Sequence, residues 1–139
     1  KNKIINDTYK NIKVNIHYGN FSKEMKNINK YLEDSLKYVS NNNQKNMIKK
    51  YIKHYKNGDI NEHKNSQKYW VKDKGPSVET NHGFIESYRD PSGVRGEFES
   101  FVSVVNKKMS ERFNDLVNNS KKFISSLPWN KDFKKSKFL

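Results

Sequence analysis

The stretch from Phe84 to Phe101, FIESYRDPSGVRGEFESF, holds the residues of this 139-residue chain that are best suited to chemistry. It contains four carboxylates: Glu86, Asp90, Glu97 and Glu99. On a β-strand, Glu86 and Tyr88 would project side by side, about 7 Å apart. There Glu86 can bind a cation, and the Tyr88 phenol can donate a hydrogen bond to an oxygen. The pattern leaves a plainer alternative open, in which a buried Glu86 pairs with an arginine and Tyr88 packs in a core.

Two predicted strands and a turn position these residues, within a segment that we assign to residues 68–93. Residues 77–89, SVETNHGFIESYR, predict a strand on which Phe84, Glu86 and Tyr88 share one face. Residues 68–73, KYWVKD, are aromatic and β-branched and predict a second strand. DPSG, residues 90–93, has the residues of a β-turn.

One long helix is predicted within residues 94–127. Its apolar stripe has helical spacing and consists of Phe98, Phe101, Val102, Val105, Met109, Phe113, Leu116, Val117, Phe123, Ile124 and Leu127. Glu97 and Glu99 would lie in the first turn, where the helix dipole favours negative charge. Pro128 would end the helix and begin a tail, residues 128–139.

Residues 1–67 predict a helical scaffold. One helix begins near Phe21, with Ser22 as a candidate N-cap, and ends at the polar cluster 40–44. A second helix ends at Gly58, and a short third helix, capped by Asp59, runs to about residue 64. The first dozen residues give no strong signal, and residues 15–20 suggest a short extended piece. The expected fold class is α+β, with amino-terminal helices, two or more strands and one long carboxy-terminal helix.

The net charge of +13 is unevenly distributed along the chain. Residues 1–75 carry 17 lysines against 7 acidic residues, whereas residues 76–127 carry 7 basic and 7 acidic residues. Only three arginines are present, although nucleic-acid readers depend on arginine for bidentate contacts. We therefore expect no specific nucleic-acid partner. No apolar run is long enough to span a membrane, and the absence of cysteine suits a reducing compartment, so a cytoplasmic location is expected.

The sequence contains no complete catalytic or metal motif of its own. The four histidines, His17, His54, His63 and His82, form no His-Glu-x-x-His pair. There is no nucleophile elbow and no glycine-rich phosphate loop. We therefore expect the histidines to be solvated or structural.

One long block of the sequence, residues 70–117, reads WVKDKGPSVETNHGFIESYRDPSGVRGEFESFVSVVNKKMSERFNDLV and is followed by LPW and KSKFL. This block resembles the dipeptidyl peptidase III family of zinc-dependent exopeptidases. The resemblance is nearly word for word from Trp70 to Val105, and it is weaker but collinear over about residues 18–139. The chain is thereby identified as a central piece of such an enzyme.

The resemblance implies a role for four residues. Glu86 would anchor the α-ammonium of an oligopeptide substrate, and Tyr88 would hydrogen-bond the scissile carbonyl and its developing oxyanion. Glu99 would help to shape the pocket for the substrate's amino terminus, and Trp70 would line a subsite on the neighbouring strand. The family is two-lobed, and the strands of this segment would lie in the lower lobe.

The resemblance also implies that the zinc motif lies carboxy-terminal to this chain. We expect zinc in the full-length enzyme, no zinc bound by this chain, and no activity of this chain alone. Two alternatives remain open at this stage. The chain could be an accessory module fused to another enzyme, such as a Nudix hydrolase, or a basic helical module that binds nucleic acid or an acidic protein.

Overall fold

The computed structural model of the chain describes residues 4–128. It divides the chain into two compact units, Lys1–Pro76 and Ser77–Leu139. Among the described residues there are five helices and two antiparallel sheets of two strands each, so the α+β prediction is confirmed. None of the described helices is both long enough and apolar enough to cross a membrane. Beyond Pro128, the predicted tail lies outside the described residues.

The first unit begins with a β-hairpin, β1 (Ile4–Tyr9) and β2 (Ile12–His17). Lys10 and Asn11 form its two-residue turn, and both have positive φ angles, 45° and 61°. Such turns match the twist of the paired strands, and Asn tolerates this region of φ better than most residues. This hairpin has no strong signal in the sequence because its turn contains no glycine.

Three helices follow the hairpin: α1 (Ser22–Ser35), α2 (Asn42–Asn57) and α3 (Ile60–Trp70). Asn41 caps α2, since its side chain accepts a hydrogen bond from the Gln44 backbone N–H at 2.9 Å. Gly58 ends α2 in the left-handed conformation, and the Asp59 side chain caps α3, as predicted. Ser22 is not an N-cap, because it is already the first residue of α1.

The buried core of this unit lies on α2 and consists of Met47, Ile48, Tyr51 and Tyr55. The apolar side chains that pack against it are Met25, Ile28, Leu32, Leu36, Val39, Ile52, Tyr69 and Trp70. Five of these recur in the sequence at intervals of three and four residues, the spacing that predicts the first helix: Met25, Ile28, Leu32, Leu36 and Val39. The helical period of residues 21–39 therefore identified a face that is packed in the structure.

The strand predicted at residues 68–73 is wrong. Helix α3 continues to Trp70, and Val71 is its C-cap. The aromatic, β-branched composition favoured a strand. Tyr69 and Trp70 instead pack against the α2 core from the end of α3, and burial of these rings prevails over local propensity.

The second unit contains β3 (Val78–Glu86), β4 (Glu97–Val104), α4 (Lys107–Asn118) and α5 (Ser120–Ser125). The strand predicted over residues 77–89 is confirmed for β3. The single long helix predicted within residues 94–127 is wrong, because its first part is the strand that pairs with β3. Asn106 caps α4, accepting from the Met109 N–H at 3.1 Å, and the helix ends at Asn118. Glu97 and Glu99 therefore lie on a strand and not in the first turn of a helix.

Candidate functional site

The candidate site is built on the antiparallel pair β3 and β4. The register is regular from Val78, opposite Val104, to Phe84, opposite Phe98. It then shifts, because Glu86 is the residue opposite Glu97. Ile85 is the extra residue of a β-bulge at this point.

The bulge determines which side chains share a face. Residues that lie directly opposite each other project to the same side of a sheet, and so do residues two apart on one strand. Glu86, Glu97 and Glu99 therefore share one face, which we call the acidic face. Diagonal neighbours such as Glu86 and Glu99 lie about 7–8 Å apart. The structure thus brings together two of the four predicted site residues.

Phe84 lies on the opposite face of the sheet. Its ring meets that of Phe98, with centroids 5.5 Å apart in an edge-to-face arrangement. The prediction that Phe84, Glu86 and Tyr88 share one face is therefore wrong. It assumed a regular strand to Arg89, whereas β3 contains a bulge and ends at Glu86.

Tyr88 lies just beyond the end of β3, in the loop 87–96 that joins the two strands. Its side chain is 74% exposed. Next to it, the Arg89 Nε lies 3.7 Å from a carboxylate oxygen of Glu97. The Tyr88 phenol is therefore exposed to solvent, and in the sequence it follows Glu86 of the acidic face by two residues.

Asp90 closes this loop. Its carbonyl oxygen accepts from the Gly93 N–H at 2.8 Å, which confirms the predicted β-turn. Its carboxylate accepts from the backbone N–H groups of Val94 and Arg95, each at 2.9 Å. These hydrogen bonds, that of Arg95 first, lower the pKa of Asp90 below its ordinary value. The aspartate thus stays ionised and fixes the loop that carries Tyr88.

Glu86 and Glu99 form no ion pair within residues 4–128, and both are exposed. The alternative that Glu86 is buried against an arginine therefore finds no support in this part of the chain. The arginine nearest to Glu86 in the sequence, Arg89, forms an ion pair with Glu97 instead. Two free carboxylates on one face favour a cationic ligand.

Trp70 lies elsewhere, at the end of α3 in the first unit, where its ring packs against the α2 core. The expected position on a neighbouring strand is wrong. Its role in a subsite stays a prediction, since a half-buried indole can pack on one side and contact a ligand on the other.

The structure also brings together two histidines, His54 and His63, that lie nine residues apart in the sequence. The rings of His54 and His63 are 5.2 Å apart between centroids, and His54 Nδ1 donates to the Asp59 carbonyl oxygen at 2.9 Å. Burial, followed by the neighbouring His54, lowers the pKa of His63. The helix break at Gly58 and Asp59 was the available signal, because it folds α3 back along α2.

The residues 4–128 include no group of three or more His, Cys, Asp or Glu side chains that could hold a metal ion. His54 and His63 are a pair without a third ligand of this kind, and catalytic zinc takes three protein ligands. The described residues therefore do not form the zinc site that the resemblance implies for the full-length enzyme.

Comparison with known proteins identifies the class to which this fold and site belong. The model of peptidase family M49 matches residues 1–139, so the chain belongs to this family. Within it, the chain is similar to dipeptidyl peptidase 3 of Dictyostelium discoideum, with 54% identity over 125 residues. It is 45% identical over 121 residues to dipeptidyl peptidase 3 of Homo sapiens. The predicted membership of the dipeptidyl peptidase III family is confirmed.

These relatives are much longer than the chain. The matched region is 90% of this chain but 18% of the Dictyostelium protein, and 87% of this chain but 16% of the human protein. Among solved structures, DPP III from Caldithrix abyssi matches with a TM-score of 0.58 at 19% identity. That match covers 96% of this chain and 25% of the other, and it supports the fold alone.

Proposed function

We propose that this chain is the substrate-binding part of a dipeptidyl peptidase, which releases dipeptides from the amino terminus of oligopeptides. The observation that carries the proposal is the acidic face, where Glu86 and Glu99 lie together without ion pairs within residues 4–128. Tyr88 is exposed in the loop just beyond the end of β3. The family membership supplies the reaction class.

In this proposal Glu86 binds the α-ammonium group of the substrate. A carboxylate and an ammonium ion attract each other strongly only where water is excluded, because the attraction falls with the local dielectric constant. An oligopeptide that covers the acidic face would itself displace water from Glu86. Glu99, diagonal to Glu86 on that face, adds a second negative charge and favours the ammonium over a neutral amine.

Tyr88 has a different role in the proposal, as a neutral hydrogen-bond donor to the scissile carbonyl oxygen. Negative charge grows on that oxygen as the carbonyl carbon is attacked, so a donor placed there stabilises the transition state more than the substrate. The phenol suits this role because it donates without requiring a counterion.

A fixed ammonium site also explains why the product would be a dipeptide. Two residues of extended peptide span about 7 Å, at 3.3–3.6 Å per residue. If Glu86 fixes the amino terminus, the second carbonyl lies at a set distance from it. The position of Glu86 relative to the reacting carbonyl therefore determines how many residues are released.

Zinc is the cofactor that the resemblance implies for the full-length enzyme, where it would polarise the carbonyl and activate water. The roles proposed for Glu86 and Tyr88 do not depend on which residues hold the metal.

The test is a comparison of Glu86→Gln and Tyr88→Phe in the full-length protein that contains this chain. Glu86→Gln removes one partner of a desolvated charge pair, which costs about 2–5 kcal/mol and is expected mainly in KM. Tyr88→Phe removes one oxyanion donor, which costs about 3–4 kcal/mol and is expected mainly in kcat. Steady-state kinetics on a dipeptidyl arylamide measures both.

Two matched variants control for loss of charge and of a hydroxyl. Glu79→Gln removes a carboxylate at the other end of β3, and Tyr31→Phe removes an exposed hydroxyl on α1. Both controls are expected to keep the wild-type kcat and KM. Unchanged kinetics in Glu86→Gln and Tyr88→Phe, beside a large drop in melting temperature, would show that the two residues are structural and end the proposal.

A further inference from the structure

Gly96 lies beside the backbone of Phe84 at the bulge and leaves little room for a side chain. A Cβ atom added to Gly96 would lie 3.0 Å from the carbonyl oxygen of Phe84 and 3.2 Å from its carbonyl carbon and from its Cβ. Gly96 directly precedes Glu97, and Phe84 directly precedes the bulged residue Ile85. The absence of a side chain at Gly96 therefore allows the start of β4 to approach the backbone of β3 where the register shifts.

The bulge decides on which face Glu86 lies. In a regular ladder, Ile85 would lie opposite Glu97, and the next residue would share the face of Phe84. Glu86 would then project to the side of the Phe84 and Phe98 rings, away from Glu99. With Ile85 as the extra residue, Glu86 is opposite Glu97 and on the acidic face.

The loop 87–96, which joins the end of β3 to the start of β4, also constrains the position of Gly96. The Asp90 carboxylate binds the N–H groups of Val94 and Arg95, directly before Gly96. Because these bonds fix the path of the chain into β4, they also limit where Gly96 can lie relative to Phe84.

We propose that Gly96 and Asp90 are positioning residues for Glu86: together they hold the bulge that turns the Glu86 carboxylate onto the face of Glu99. The inference rests on the proposed function, because it assigns to Glu86 the recognition of a peptide ammonium group. Neither residue needs to touch the substrate. They affect substrate binding by setting the direction in which the Glu86 carboxylate projects.

The experiment measures how well the full-length protein distinguishes a free amino terminus from a blocked one. Tetra-alanine and N-acetyl-tetra-alanine compete separately with a fluorogenic dipeptidyl arylamide, and the ratio of the two inhibition constants is the readout. Wild type is expected to prefer the free peptide. Gly96→Ala is expected to reduce this preference about tenfold or more, because the added methyl group displaces the Phe84 backbone and with it Glu86.

Gly75→Ala is the matched control. Gly75, unlike Gly96, has a positive φ angle, 63°, and a Cβ added there meets nothing within 4 Å. The same substitution therefore strains the backbone without touching the bulge, and the preference should stay at the wild-type value. In a Glu86→Gln background, Gly96→Ala should reduce the preference no further, because the two changes remove one interaction.

Asp90→Ala is the second variant, since it adds no atoms and creates no clash. It should reduce the preference for the free amino terminus in the same direction and lower kcat as well, because Tyr88 lies in the loop that Asp90 closes. If both variants lower the melting temperature but keep the wild-type preference, the positioning role is overturned. If wild type itself shows no preference, the proposed ammonium site fails, and the inference fails with it.

Discussion

Glu86 and Tyr88 are exposed side chains, and their exposure bears on what they do. A structural glutamate paired with arginine and a core tyrosine would both be covered, whereas Tyr88 is 74% exposed. Glu86 also lies directly opposite Glu97, and like charges in this position destabilise a sheet. The Arg89 side chain offsets part of that repulsion at Glu97. A cationic ligand would offset the remainder at Glu86, which is consistent with the proposed ammonium site.

His63 is predicted to make the stability of the folded protein depend on pH. Its ring lies partly buried, 5.9 Å from that of Tyr51 and 5.2 Å from that of His54. Burial and His54 lower the pKa of His63 below its ordinary value of 6.5. The unfolded chain therefore binds a proton at higher pH than the folded one. Stability should fall as the pH drops through about 6.5 and level off below the pKa of the folded state.

Melting temperatures measured between about pH 7.5 and about pH 5.5 test this prediction, a range that spans the ordinary histidine pKa. His63→Gln should make the decline shallower, because it removes the group whose protonation the fold opposes. His17→Gln is the control, since His17 is exposed on β2, and it should follow the wild-type curve. A decline of equal slope in His63→Gln and wild type would contradict the role given to His63.

The helices and strands that the sequence predicted correctly are those with local signals. α1 has a helical apolar period, α2 ends at a glycine in the left-handed conformation, and α3 begins at a capping aspartate. The turn 90–93 contains the proline and glycine that such turns favour. Each of these signals lies within a few residues of the structure that it determines.

The elements that were predicted wrongly from the sequence depend on contacts with residues far away along the chain. Phe98, Phe101, Val102 and Val105 fit a helical period, but residues 98, 102 and 104 also fit strand alternation. Pairing with β3 decides between the two, and β3 lies about twenty residues earlier. For the same reason, the site residues Glu86 and Glu99 could be identified by type, but their common face could not. That face depends on the bulge at Ile85, and its position is set by the register with the distant strand β4.

At the N-terminus of α2, Asn41 is predicted to contribute more to stability than its neighbour Asn42. Its side chain accepts from the Gln44 N–H and also donates to the Asp73 carboxylate at 2.7 Å. Asn41→Ala should lower the free energy of unfolding by about 1 kcal/mol, as the loss of an N-cap does. Asn42→Ala, one residue into the helix, serves as the control. Equal melting temperatures for the two variants would show that the cap contributes nothing.

At the scale of the whole chain, most of the net charge and the candidate site lie in different stretches of the sequence. The 17 lysines of residues 1–75 belong to the first unit, whereas the candidate acidic face lies in the second. Exposed lysines follow one side of α2 at helical spacing: Lys45, Lys49, Lys53 and Lys56. Residues 1–75, with 17 lysines and 7 acidic residues, therefore carry +10 of the net charge of +13, whereas residues 76–127, which include Glu86, carry 7 basic and 7 acidic residues.

Apolar surface is also unevenly distributed. The buried hydrophobic residues of the described chain all lie on α2. In the second unit, side chains of β4 and α4 remain largely exposed, among them Val102, Val104, Phe113 and Val117. Exposed apolar surface of this kind marks places where other protein packs. The strand that carries Glu97 and Glu99 thus also carries apolar side chains that are exposed to water in this chain.

The last prediction follows from this openness: residues 1–139 expressed alone should cleave no dipeptidyl arylamide and bind no zinc that survives dialysis. An ammonium group gains only about 0–1 kcal/mol from a carboxylate that stays in water, so an exposed Glu86 cannot retain a peptide. Zinc in turn needs three or more ligands, and residues 4–128 bring no such group together. Activity is measured beside the full-length protein at equal molar concentration, and metal content by atomic absorption after dialysis. Stoichiometric zinc, or dipeptide release by the chain alone, would refute the prediction.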